Sequence, residues 1–173
     1  MKLEEFRVLS IDPSLRSTGV YCNWLDKTYT IDCKSTSSIG ALHRIGKCLS
    51  YRCAVADVML IEDYSYGSMG NAVLTMGEIR GAISYVAKSE NVRMFAVPIQ
   101  TWKSIMPKLP KKLRTIAGTK AYVDAGREIC HREFATCDEV DAYFIYEAVR
   151  KLVDVEPEHK LSVLMHEVME GAE

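Results

Sequence analysis

The chain has no CxxC pair, no apolar run approaching the ~20 consecutive residues that span a bilayer, and almost no net charge, −1 over 173 residues. Each absence closes off a class of protein. Without a spanning segment, and with no apolar signal-peptide core in residues 1 to 8, the expected setting is the cytoplasm, with no membrane partner. Without CxxC spacing, the six cysteines (Cys22, Cys33, Cys48, Cys53, Cys130 and Cys137) are expected to be reduced thiols. Cys130, His131 and Cys137 come nearest to a zinc set, but cysteines on a helix face are small core residues more often than ligands. What is present is a globular composition, 48% hydrophobic and 26% charged, which at this length suits one α/β domain with a substantial core.

The near-zero net charge hides an uneven distribution. Residues 103 to 120 hold Lys103, Lys108, Lys111, Lys112, Arg114 and Lys120 with no acid, whereas residues 154 to 173 hold six acids against Lys160. A local basic patch is enough to bind phosphate whatever the total. Trp102 beside it and prolines at 107 and 110 point to a shaped segment rather than a loose lysine-rich loop.

Periodicity divides the chain into alternating elements. FRVLSI is a short apolar strand ending at Asp12-Pro13, where the proline favours extended geometry at the aspartate. SLRST leads through Gly19 into GVYCNWL, and Asp26-Lys27 reverses the chain into TYTIDCK, so the first three strands form an antiparallel meander. Ile39, Leu42, Ile45, Leu49 and Val55 recur at helical spacing and predict an amphipathic helix over 38 to 56. DVMLIE is a buried strand, Asn71 to Ser89 a long helix, and VRMFAVP the last strand of the set. Gly77 and Gly81, four apart on the long helix, permit close approach either to the sheet or to a second subunit. Pro98 suits the first turn of a short helix, IQTWKSIM. Thr119 is expected to cap a helix over Lys120 to Cys130. Thr136 and Glu139 fit a capping box, with Thr136 as N-cap and Glu139 at the third position.

Against this layout four carboxylates stand at the edges of apolar segments: Asp12 and Glu62 closing strands, and Asp138 and Asp141 at the start of the last substantial helix. Packing calls for no acid where a buried strand meets solvent. The helix cap places Asp138 in the first turn, favoured there by the helix dipole, and Asp141 three residues on, on the same face. For Asp138 taken singly, decoration of the first turn is the simpler reading; Asp141 opens the apolar stretch AYFIYEAV and is expected to lie near the sheet. If the edges converge, they form an oxygen-ligand cage for Mg²⁺ or Mn²⁺, the hard-ion chemistry that cleaves phosphodiesters. Clustered carboxylates repel one another, and divalent cations remove that cost.

The ordered set of IDPSLRSTG at 11 to 19, LIE at 60 to 62, GEIRGA at 77 to 82, QTWK, GTK and DEVDA at 138 to 142 resembles the RuvC-type Holliday-junction resolvases. The resemblance spans most of residues 6 to 150. It implies an α/β ribonuclease H-like fold with a mixed five-stranded sheet flanked by helices, residues 1 to 153 forming the nuclease domain. It also implies Asp12, Glu62, Asp138 and Asp141 as ligands of Mg²⁺ or Mn²⁺, two ions per site. Lys120, and less directly Lys103, resemble the family's basic residues near the scissile phosphate; Lys108, Lys111, Lys112 and Arg114 are the expected DNA-binding companions. The implied activity is paired hydrolysis of four-way DNA junctions by a homodimer, leaving 5′-phosphate and 3′-hydroxyl ends, with the 71–89 helix as candidate interface.

Glu62 ends a strand that follows the first helix, whereas the second acid of ordinary ribonuclease H lies on that helix, which favours the resolvase branch. A broader branched-DNA nuclease, a nuclease of RNA–DNA hybrids and a non-catalytic binding module of the same fold remain alternatives. A sugar-kinase or actin-like ATPase needs two such domains, and this chain supplies one. Two positions depart from the family pattern. Ser14 replaces the phosphate-turn glycine, and Ser65 replaces an aromatic found in some members; Tyr64 and Tyr66 flank it, and one of them is expected to stack on exposed bases. The acidic extension, 154 to 173, carries Leu161, Leu164, Met165 and Val168 at helical spacing, a packing helix or a partner contact.

Overall fold

Every residue of the first strand, β1 (Val8–Asp12), is buried, which requires a neighbour on each edge and cover on each face. The computed structural model, which describes residues 2–34, 36–63, 71–111, 115–155 and 166–167, supplies both. On one edge β1 pairs antiparallel with β2 (Ser17–Cys22), which pairs antiparallel with β3 (Lys27–Asp32). On the other, β1 runs parallel to β4 (Val58–Glu62), which runs parallel to β5 (Arg93–Val97). The expected mixed set of five strands is thus ordered β3-β2-β1-β4-β5. A two-residue β6 (His166–Glu167) joins antiparallel at the β5 edge. At those two residues the acidic extension is strand, not the helix its spacing suggests; Leu161, Leu164, Met165 and Val168 lie outside the described residues.

Alternation of side chains divides the core into two layers. Leu9, Ile11, Met59, Ile61, Met94 and Ala96 face α1 (Ser38–Cys53) and α2 (Asn71–Ser89), packing on Ile45, Leu49, Ile79 and Ile83. Val8, Leu60 and Val97 face the opposite layer, built from α3 (Ile99–Ile105), α4 (Ile116–Cys130) and α5 (Cys137–Val155), with Trp102, Tyr122, Phe134, Phe144 and Tyr146 among its large members.

Helix starts differ from the sequence reading in informative ways. Helix α1 is capped by Ser37, whose hydroxyl accepts from the Gly40 amide at 3.2 Å, and it ends at Cys53, short of Val55. Pro98 is the N-cap of α3, one position outside its first turn. Thr115, not Thr119, caps α4, accepting from the Gly118 amide at 3.1 Å. Thr136 caps α5 as expected, accepting from the Glu139 amide at 3.2 Å, but the Glu139 carboxylate returns to the amide of Ala135 at 2.8 Å, one residue before the N-cap. Glu139 is buried because it does more than cap: Thr28 and Thr30 of β3 donate to it at 3.2 and 2.8 Å, tying the start of α5 to the sheet edge. Replacing it by alanine strands those donors in a half-buried site, so Glu139→Ala should cost about 1–3 kcal/mol, read as a lower urea midpoint at unchanged m-value.

On α2, Ile79, Ile83 and Ala87 point into the core, while Val73, Leu74 and Tyr85 are exposed. Gly77 and Gly81 are exposed as well, and a Cβ on Gly81 would meet nothing within 4 Å, so these glycines do not serve packing on the sheet.

Candidate active site

Parallel pairing brings two of the acids to one place. Ile11 and Ile61 are register partners of β1 and β4, so Asp12 and Glu62, the next residue on each strand, end adjacent strands at the same edge. Period-two alternation turns both toward the α3/α4/α5 layer, since Val8 and Leu60, an even number of residues earlier, pack there. For Glu62 a bond confirms the direction: the Trp102 indole on α3 donates to Glu62 Oε2 at 3.0 Å. Asp63, one residue on, pairs with Arg80 from the GEIRGA stretch of α2, both about 15% exposed, so the strand end is anchored from the opposite layer.

Two close approaches deliver α5 to that edge. Gly19 stands opposite Asp12 in the β1–β2 ladder, and a Cβ there would overlap the Asp138 carbonyl and lie 2.9 Å from the Glu139 amide nitrogen. Only glycine lets the first turn of α5 rest on β2 beside Asp12. At the second contact, a Cβ on Gly126 would lie 2.9 Å from both methyls of Val140, so α4 closes tightly on α5. One turn before Gly126, the Tyr122 hydroxyl donates to Asp141 Oδ1 at 2.5 Å. Asp12 and Asp141 are both buried, 8% and 6% exposed. Burial first, then the charge of Asp141, with a smaller contribution from Asp12, pushes the Tyr122 hydroxyl well above its ordinary range, so it is the proton donor at neutral pH. Asp138 is half-buried in the first turn.

Beside Asp141 opens a cleft of about 320 Å³. Buried Trp102, Tyr122 and Phe144 form its inner wall, and exposed Lys103, Lys108 and Lys111 its outer one, with Pro107, Leu109 and Pro110 shaping the segment between them. The Lys103 ammonium lies 5.0 Å from the Trp102 ring centroid, a cation–π contact that leaves it at the mouth. Lys120 is placed otherwise: on the exposed face of α4 it pairs with Asp124, one turn on, and borders a separate groove with Thr115, Ile116 and Arg127. Lys112, Arg114, Tyr64 and Tyr66 lie outside the described residues.

All four candidate ligands are carboxylates, hard oxygen donors that suit Mg²⁺ or Mn²⁺ and not a thiophilic ion. Asp12, Glu62 and Asp141 belong to the edge where β1, β4 and α5 meet, and Asp138 to the turn that rests on Gly19. Among the described residues, however, no three His, Cys, Asp or Glu side chains stand together as a ready chelating group. The fit to a divalent cation is therefore one of donor chemistry and shared edge, not of a preformed cage.

Two residues that the sequence did not mark as part of the site are Tyr122 and, as a partner of Glu62, Trp102. On sequence, Tyr122 is one more apolar position of α4; nothing in periodicity reports where its hydroxyl points.

No protein-family model matches this chain, and no curated protein sequence matches it. Solved structures do. Thermus thermophilus RuvC in complex with a Holliday junction substrate aligns with a TM-score of 0.62 at 12% identity, over 83% of this chain and 92% of that one. Another structure of Thermus thermophilus RuvC gives 0.59 at 12% identity, over 84% and 95%. At that identity the likeness is one of fold: this chain has the ribonuclease H-like architecture of RuvC, a mixed sheet flanked by helices.

Proposed function

We propose that the protein is a structure-selective endodeoxyribonuclease that resolves four-way DNA junctions. The observation that carries this reading is the placement of Asp12, Glu62 and Asp141 at one sheet edge beside a cleft walled by Lys103, Lys108 and Lys111. Carboxylates beside lysines are the two halves of phosphodiester chemistry: one set collects cations, the other collects the anionic backbone. Bound by Asp12, Glu62, Asp138 and Asp141, two Mg²⁺ or Mn²⁺ ions would supply a hydroxide nucleophile and offset charge on the departing 3′ oxygen, leaving 5′-phosphate and 3′-hydroxyl ends. Lys103 at the cleft mouth neutralises the incoming phosphate, and Lys108 and Lys111 extend that contact along the strand. Lys120 contributes only by leaving Asp124 for the DNA, a short exposed pair whose rupture costs little.

Symmetrical cutting of opposing strands requires two sites related by a twofold axis, so the working form is a homodimer. The outward face of α2, with Val73, Leu74, Gly77, Gly81 and Tyr85, is its interface. The test is to incubate the protein with a synthetic four-way junction, a linear duplex, an RNA–DNA hybrid and ATP, each with Mg²⁺. Paired, symmetrically placed nicks in the junction, with the others untouched, are the expected result. Cleavage chiefly of the hybrid, or turnover of ATP, would overturn the proposal.

A further inference from the structure

We propose that Arg16, Lys34, Arg44 and Lys47 form a second basic surface, across the sheet edge from the lysine cleft, that takes the phosphate backbone of one arm of the junction. The inference rests on the DNA-binding reading above and adds to it the path that the arm follows. Its residues meet at the end of the sheet that carries Asp12. There Ser17 is the register partner of Asp32, and the Cys33 amide donates to the Arg16 carbonyl at 2.9 Å, joining the β1–β2 turn to the exit of β3. Arg16 and Lys34 are both exposed at this junction of turns. Helix α1 starts from the same end, and the Arg44 charge is close enough to act on the Cys33 thiol. Arg44, Lys47 and Tyr51 stand at i, i+3 and i+7, one stripe of α1, and all three are exposed, Tyr51 by 72%. Contact with α2 is made elsewhere on the helix, by Gly46 against Val86 and by Ser50, which donates to Glu90 at 2.6 Å. The stripe is therefore turned away from the face proposed for the dimer.

A merely solvated helix face mixes charges of both signs. This one does not: residues 33 to 56 hold Lys34, Arg44, Lys47 and Arg52 and no acid. Arg52 is occupied by the fold, its guanidinium 3.9 Å from the Tyr29 ring centroid and bonded to the Cys48 carbonyl at 2.8 Å. Other arginines are paired with acids, Arg7 with Asp57, Arg80 with Asp63 and Arg132 with Asp26. Among the described residues no ion pair reaches Arg16, Lys34, Arg44 or Lys47, and Asp32 beside them accepts from the Lys34 amide at 3.0 Å. Neighbouring cations left without acids repel one another, and a polyanion removes that cost while releasing its own counterions. The lysine cleft belongs to the α3/α4/α5 layer and this stripe to the α1/α2 layer, so the edge that ends in Asp12 and Glu62 lies between them. A strand held in the cleft alone touches one surface; a duplex arm crossing the edge touches both. The Tyr51 hydroxyl adds a neutral donor of the kind that contacts phosphate.

The experiment measures binding of a synthetic four-way junction in EDTA over a series of salt concentrations, for the parent and for the double variant Arg44→Gln, Lys47→Gln. Both positions are exposed and glutamine is a good helix former, so α1 should stay folded. Each phosphate contact contributes about 0.9 to the slope of log affinity against log salt, so the variant's slope should be shallower by about 2 and its affinity at low salt about tenfold or more below the parent's. The deficit should shrink on junctions whose arms are trimmed toward the crossover, because the parent then loses the same contacts. Arg16→Gln with Lys34→Gln, both on turns, carries the test if the helix variant does not fold. Parental affinity and slope in a folded variant overturn the second surface and leave the nuclease reading intact. An equal deficit on long and trimmed arms places the contact at the crossover and overturns the arm. A parent protein that does not bind the junction overturns the reading beneath the proposal, and that outcome shows in the parent.

Discussion

Replacing Asp12 by asparagine should leave a folded protein that binds a four-way junction and no longer cuts it. Asparagine keeps the shape and one oxygen acceptor of the aspartate but not its charge. Asp12 is 8% exposed at the end of a strand whose residues are all buried, with Asp141 near enough for both to act on Tyr122. The substitution is isosteric, so the Asp12→Asn protein should stay folded, whereas catalysis should respond strongly. Loss of an outer-shell partner already costs about 10–100-fold, so loss of a ligand itself should lower the cleavage rate by about 10³-fold or more. Asp141→Asn should give the same result, because the Tyr122 hydroxyl can still donate to the asparagine oxygen. The decisive measurement pairs single-turnover cleavage in Mg²⁺ with junction binding in EDTA or Ca²⁺. A protein that loses binding and stability together with cleavage would show the aspartate to be a folding residue, and the site would then lie elsewhere.

The parts of this site that could be read from sequence are those written in local signals. Two apolar runs ending in acid, FRVLSID and DVMLIE, suffice to put Asp12 and Glu62 at strand ends, because a buried parallel strand is a continuous hydrophobic stretch with an abrupt stop. The start of α5 was equally legible, since Thr136 and Glu139 are three residues apart and the cap is a contact between near neighbours. Helix α4 shows where such reasoning gives out. Its first turn faces solvent, with Ile116 92% exposed, so hydrophobic periodicity begins only at Tyr122 and the cap is misplaced by a turn, at Thr119 instead of Thr115. The contacts that assemble the site are longer in range still. Tyr122 meets Asp141 across 19 residues and Trp102 meets Glu62 across 40. One bond depends on how α3 packs on the end of β4 and the other on how α4 crosses α5, where the close approach requires the absence of a side chain at Gly126. Lys120 shows the limit of similarity of position: resemblance assigns it to the phosphate, and in the structure its ammonium pairs with Asp124 on the outer face of α4.

Gly19→Ala should be the most damaging small substitution outside the acids. The added methyl would coincide with the Asp138 carbonyl and crowd the Glu139 amide, and both are helix backbone, which cannot rotate away as a side chain would. Either β2 bends or α5 lifts. Thr28 and Thr30 hold α5 through Glu139 on the same edge, and Thr30 also meets Thr136 at 2.8 Å, so lifting the helix strains those bonds as well. Overpacking of an interior contact costs about 1–3 kcal/mol and at times more, and a backbone clash with no side chain to yield belongs at the upper end. The functional loss should exceed what unfolding explains. Gly19 is the ladder partner of Asp12, so whatever α5 does to escape the methyl moves Asp138 and Asp141 relative to Asp12. A displacement of about 1 Å at a catalytic constellation can cost about 10²-fold in rate. Urea denaturation should therefore show a lower midpoint, and cleavage at a temperature where the variant is fully folded should still be about 10²-fold down, with Mn²⁺ affinity weakened alongside. The comparison that isolates the cause is Glu139→Ala, which loosens the same helix without the clash: it should lose stability yet retain most of its cleavage when folded. Equal cleavage by folded Gly19→Ala and parent would mean that the acids of α5 take no part in the reaction.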